Sequence, residues 1–152
     1  MAFGQIASRV IVLALMALAI PSFAHAECIA LWKTARDAQR GSTLVFSGTV
    51  IKSSPDVLQT SFQVDRVWKG DVQQQMTLTL YPGLESHSAS SFKEGVAYLV
   101  FAQQMRMFVR PDVNVASPET PVFEISLCSP TRPVADAQEF VKQLGRGRSP
   151  RP

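Results

Sequence analysis

The chain has 152 residues, with 15 lysines and arginines against 12 aspartates and glutamates. That length allows one ordinary domain. The net charge of +3 is unevenly placed: without Arg9 and the C-terminal Arg146, Arg148 and Arg151, 11 basic residues stand against 12 acidic ones. A near-neutral body excludes the general polyanion-binding surface of a strongly basic domain.

The first 26 residues read as a leader. Arg9 is followed by the apolar run VIVLALMALAI, then Pro21 and the small-x-small site Ala24-His25-Ala26. Charge, apolar run and small-residue site together describe a secretory signal peptide, cleaved after Ala26. The run falls short of the roughly 20 residues of a bilayer span, so no stable membrane span is expected after cleavage. The expected organisation is a signal peptide over 1–26, a folded domain over 27–145 and a tail over 146–152. The expected location is the periplasm or the medium outside the cell. Two cysteines remain, Cys28 and Cys128. In an oxidising compartment an even pair points to a disulfide, and C-x-x-C spacing for the metal or redox alternatives is missing. Closing a loop of about 100 residues would stabilise the domain by about 4.7 kcal/mol in the chain-entropy account.

Residues 29–41 carry Ile29, Trp32, Ala35 and Ala38 or Gln39 at helical spacing, with Gly41 where a cap would end the helix. The stripe is narrow, and an irregular arm is the alternative. A first strand is expected over Thr43–Lys52, with Gly48 marking a bulge or bend, and Ser53-Ser54-Pro55-Asp56 is turn chemistry. The next strand, about 58–68, contains SFQVDRVWKG. Its period of two puts Phe62, Val64 and Trp68 on one face and Ser61, Gln63, Asp65 and Val67 on the other. Gly70-Asp71 turns the chain toward a third strand, about 75–81, and three strands with short links read as an antiparallel meander.

Residues 82–94 form a small, polar loop that carries His87 among serines. A Ser/His pair there lacks both a strained nucleophile turn and a third group to orient the imidazole. Gly95–Ala102 is almost continuously apolar, as a strand covered on both faces would be. Met105, Met107 and Phe108 could form a binding stripe, although core packing explains such a stripe more simply. Three prolines over 111–121 mark a loop, and Val122–Cys128 is the last strand, with Phe123, Ile125 and Leu127 on one side. A helix is then expected from Pro133 to Gly145, with Val134, Ala137, Phe140 or Val141, and Leu144 as its apolar face. The remaining GRGRSPRP holds no apolar residue and has the composition of a disordered tail.

Five or six short strands, a bend glycine and flanking helices suit a mainly β fold: a five-stranded Greek-key OB-fold barrel with a C-terminal helix. An immunoglobulin-like β-sandwich is the alternative.

The blocks VFSGTV, FQVDRVWKGDV, FKEGVAYLVFA and LCSPTRPVADA, followed by a helix ending in Leu-Gly, carry a resemblance. In that order they resemble the bacterial secreted domains similar to tissue inhibitors of metalloproteinases, in the netrin-like group, over about residues 28–145. The resemblance implies an OB-fold barrel with packed helices and a disulfide from the N-terminal segment to the region of Cys128. It also implies a departure. Such domains often open with C-x-C and carry a further Cys-Gly, where this chain has a single Cys28 and the cysteine-free SHSASSF. The animal inhibitors bind a protease zinc through the amine and carbonyl of a mature N-terminal cysteine, whereas cleavage after Ala26 leaves Glu27 ahead of Cys28.

The expected function is an exported, non-catalytic binding module of the bacterial envelope or secretome. Its partner would be a protein or an envelope component, and it would need no cofactor. The alternatives are a metalloprotease inhibitor and a nucleic-acid or polyanion binder acting through the barrel. Nucleic acid is disfavoured by the neutral body and the export signal. Candidate partner-binding residues are Glu27, Cys28, Trp68, Lys69 and His87, and Trp68 is also expected to anchor packing at a barrel end. No catalytic residues and no metal ligands are assigned, since Asp65, Asp71, Glu85, His87 and Glu94 have no spacing that unites them.

Overall fold

A computed structural model describes residues 34–81, 91–105, 121–126 and 128–152. Five strands form the barrel: β1 (Leu44–Ser54), β2 (Gln59–Lys69), β3 (Gln75–Leu80), β4 (Ala97–Met105) and β5 (Val122–Glu124). Neighbours run β1-β2-β3-β5-β4, and β4 pairs with β1 again to close the ring. Every pairing in the ring is antiparallel except β3 with β5. This closed five-stranded barrel is consistent with an OB-like fold. One closed sheet replaces the sandwich alternative, which would need two sheets with free edges. A two-residue strand, β6 (Arg132–Pro133), pairs with Tyr98 and Leu99 of β4, before the stretch Gln103–Met105 that pairs with β5.

Closure depends on β1, which pairs with β2 and β4 along the same stretch. The β1–β2 register shifts between Val45 and Phe46, between Ser47 and Gly48, and between Val50 and Lys52. These irregularities bend and twist the strand, as a small barrel requires. At Gly48 a Cβ would stand 2.7 Å from the Gln63 carbonyl oxygen, so glycine lets the two backbones meet where the strand bends.

The bulges also change which residues of β2 face inward. Phe62 and Val64 are buried inside, but the next inward residue is Val67 rather than Trp68. Ser47 pairs with Arg66 and Gly48 with Val64, which leaves Asp65 as the extra residue. One extra residue moves the side chains that follow it to the opposite face, up to the next register shift at Val45/Phe46. Trp68 therefore lies on the outside of the barrel and not in line with Phe62.

Two apolar clusters result. Inside, Phe46, Phe62, Phe92 and Tyr98 follow one another edge to face, with centroids 5.3, 5.5 and 5.0 Å apart. Leu44, Val50, Val72, Leu78, Leu80, Val100 and Ile125 complete this core. Outside, Val45, Leu99 and Phe101 meet Ala38 and Ala137, with Trp68, Val134, Phe140, Val141 and Leu144 packed around them. Successive residues of β4 serve the two clusters alternately, which is why Tyr98–Ala102 is buried throughout.

Helix α1 (Ala35–Gly41) is shorter than its expected range, and Ile29 and Trp32 lie outside the described residues. Thr34 is its N-cap: Oγ1 accepts from the Asp37 N–H at 3.1 Å and donates to Asp37 Oδ2 at 2.8 Å. The Thr34 hydrogen bond, aided by Arg40, holds the Asp37 carboxyl below its ordinary pKa. Ser42 rather than Gly41 caps the other end, and its Oγ donates to the Ala38 carbonyl.

The C-terminal helix also departs from expectation. Pro133 belongs to β6, a 3-10 turn follows at Val134–Asp136, and α2 spans Gln138–Leu144. Proline's fixed φ and missing N–H suit a strand edge as well as a helix start, and here β4 takes it. Gly145, at φ +78°, ends α2. The C-terminal stretch is not disordered: Arg148 pairs with Val67 and Arg151 with Gln73. Its composition offers nothing for a core, but backbone hydrogen bonds to an open strand edge require no apolar side chain.

Candidate partner-binding cleft

Trp68 and Lys69 are placed by the bulged end of β2, and both join the barrel to its helices. The Trp68 indole Nε1 donates to the Gly145 carbonyl at 2.9 Å, and its half-buried ring packs against the outer cluster. Lys69 Nζ donates to the Gln39 and Arg40 carbonyls at 2.9 and 3.0 Å. It thus satisfies carbonyls at the end of α1 that have no partner within the helix. Gln39 returns a bond from its side-chain amide to the Trp68 carbonyl. Both residues act as fasteners between β2 and the terminal helices.

Glu27, Cys28 and His87 lie outside the described residues, as do Glu85, Met107 and Phe108. Among the described residues no cysteine is free, and the Cys128 N–H donates to the Ser126 Oγ, two residues earlier, at 3.1 Å. The predicted bridge itself extends to Cys28 and so beyond the described residues. Asp71 pairs with Arg151, and Glu94 Oε1 accepts from the Ser53 N–H at 2.9 Å. These two carboxylates therefore hold the chain together at separate points. Among the described residues no three His, Cys, Asp or Glu side chains converge.

An open cleft of about 620 Å³ lies between the 91–96 segment and β6, beside the first residues of β4, where the inner rings Phe92 and Tyr98 reach the barrel's edge. Its floor is Phe92, Val96 and Tyr98, its far wall Thr131 and Pro133, and its rim Ser91, Lys93 and Arg132. Local chemistry fixes each side. Gly95, at φ +78°, turns the 91–96 segment back, and its N–H donates to the Val50 carbonyl at 2.8 Å. The Tyr98 hydroxyl accepts from the Lys93 N–H at 3.2 Å. Thr131 is buried and accepts from the Phe101 N–H at 2.9 Å, so it holds the opposite wall against β4.

Arg132 is braced as well. Its Nε donates to the Pro130 carbonyl at 3.1 Å, and its guanidinium carbon lies 5.0 Å from the centre of the Phe140 ring. A guanidinium held over an aromatic face is a pre-oriented cation. Lys93 is exposed on the other rim. An aromatic floor between two cations can seat an apolar side chain and fix an anionic neighbour. A second hollow, beside Ser126 and Ser129, is about 80 Å³.

Sequence reasoning placed two of its candidates, Trp68 and Lys69, on β2 and missed Lys93, Tyr98, Thr131 and Arg132. Alternation hints at Tyr98 and Phe92 as inward residues, but nothing local brings 91–96 beside 131–133, which meet because β6 pairs with β4. The sequence matches no model of a known protein family, and no curated protein matches it.

Proposed function

We propose that this chain is an exported, non-catalytic binding module of the netrin-like kind, resembling tissue inhibitors of metalloproteinases. On this reading it holds a partner protein or an envelope component at the cleft beside β4 and β6. The observation that carries the proposal is the composition of that cleft. Its described lining has an aromatic floor and two rim cations, and among the described residues no carboxylate, imidazole or thiol. Apolar lining with a few placed polar groups is the make-up of a recognition site. The barrel interior, filled by four rings in edge-to-face contact, is suited to holding the cleft walls rigid. The leader-like first 26 residues support export.

A segment that projects an apolar side chain with an acidic neighbour suits this cleft. The test is capture from an envelope extract by wild type and by Lys93→Glu, at low and at physiological salt. The expected result is a discrete partner that Lys93→Glu loses, more completely at high salt, where the remaining electrostatic attraction is screened. Identical capture by both proteins would overturn the cleft as the site. Sequencing the mature N-terminus and assaying zinc proteases separates this reading from inhibition. A start at Cys28 with measurable inhibition would favour the inhibitor instead.

A further inference from the structure

The C-terminal tail lies on an edge that the barrel itself leaves open. β3 pairs with β2 only along Gln59–Gln63, while β2 runs on to Lys69 against β1. The β3-facing side of the β2 overhang is therefore available to another extended chain. The tail takes it. Val67 N–H donates to the Arg148 carbonyl at 2.9 Å, and Arg148 N–H donates back to the Val67 carbonyl at 2.8 Å. Further along, Gln74 N–H donates to the Arg151 carbonyl at 2.8 Å, and Arg151 N–H to the Val72 carbonyl at 3.0 Å.

Side chains add selectivity to these backbone bonds. The Arg148 guanidinium donates to the Gly70 carbonyl at 2.6 Å, and Arg151 pairs with the Asp71 carboxylate. Gly147, at φ +62°, lies where a Cβ would come 2.7 Å from Arg66 Cγ and 3.0 Å from Trp68 Nε1. Pro150 falls between the two bonded positions, where the structure uses no N–H. The pattern that fits is Gly-Arg-x-x-Arg. The tail residues are largely exposed, and exposed contacts of this kind open more readily than a packed core.

We propose that the β2 overhang and the β2–β3 turn form a site for extended peptides of the Gly-Arg-x-x-Arg type. The C-terminal tail is its built-in occupant, which an incoming segment must displace. Strand addition draws affinity from backbone bonds and specificity from side-chain contacts. A tethered occupant competes at a high effective concentration, so the site is masked until the tail lifts. This site shares no lining residue with the cleft, and either can fail without the other.

The test uses a fluorescent peptide of residues 145–152 and the full chain. Gly147→Val unseats the tail while leaving the slot backbone unchanged, and Arg148→Ala with Arg151→Ala does so by a second route. Hydrogen exchange at the Val67 and Gln74 amides reports the opening. The expected result is faster exchange at both amides and peptide binding tightened by about tenfold or more relative to wild type. A peptide with both arginines replaced by alanine should not bind, and Asp71→Asn should weaken the gain. Exposed amides without a gain in binding would overturn the proposal. So would amides that stay protected in both variants, or equal binding to wild type and variants.

Discussion

The inside and the outside of this barrel are held by different means. Inside, Phe46, Phe62, Phe92 and Tyr98 pack ring against ring, and these rings come from strands or from the segment that enters beside β4. Outside, the apolar cluster is built from both ends of the described chain, with Ala38 from α1, and Ala137 and Phe140 from the C-terminal region, meeting Val45, Leu99 and Phe101. The outer layer is fastened by polar bonds from Trp68 and Lys69 to helix-end carbonyls. The inner core depends on volume, and the outer layer on a few directed contacts. The same kind of mutation should therefore cost very different amounts on the two sides.

Removing an inner ring should have the largest effect. Phe62 is fully buried between two other rings, and Phe62→Ala should destabilise by about 3–5 kcal/mol in denaturant unfolding. Gly48→Ala tests the backbone contact beside it. With the Gln63 oxygen 2.7 Å away, it should cost about 1–3 kcal/mol, and a neutral result would show that the strands can separate there. Trp68→Ala should cost about 2 kcal/mol, less than an inner ring, because the side chain is half-buried and loses one hydrogen bond. If Trp68→Ala matched Phe62→Ala, the distinction between the two layers would fail.

Lys69→Met keeps the stem but removes the donor, and should cost about 1 kcal/mol, with fraying of α1 visible by hydrogen exchange. The smallest effect is at Thr34 and Asp37. The Asp37 pKa is lowered in the folded state. Its contribution is therefore present above the unfolded carboxylate pKa and fades as pH falls through the folded one. Thr34→Ala should reduce that acid dependence in the local stability of α1, Arg40 keeping the remainder, as amide exchange between neutral and acidic pH would show.

The inner layer was legible in the sequence because strand alternation reports it directly. Phe62 and Val64, the apolar run ending at Ala102, and the bend at Gly48 all stand where the pattern puts them. The outer layer was less legible, since a period of two does not announce a bulge. Asp65 looks like any outward residue of an alternating strand, yet as the extra residue it exchanges the faces of Val67 and Trp68. The short polar cap Thr34-x-x-Asp37 was a readable signal for where α1 begins. The tail could not be read from composition, because its order comes from backbone bonds to an edge created by strands of unequal length. The cleft was hidden for a related reason. Its walls are more than 30 residues apart in the chain, and only the pairing of β6 with β4 joins them.

The central claim, that the cleft beside β4 and β6 is where a partner is held, can be tested most directly by photo-crosslinking in cells. The crosslinking side chain would replace Ser91 on the cleft rim or, as a control, the exposed Asp56 in the β1–β2 connection. A discrete adduct from position 91, absent from position 56 and lost when Lys93→Glu is added, is the predicted result. No adduct at position 91, or one that survives Lys93→Glu unchanged, would contradict it.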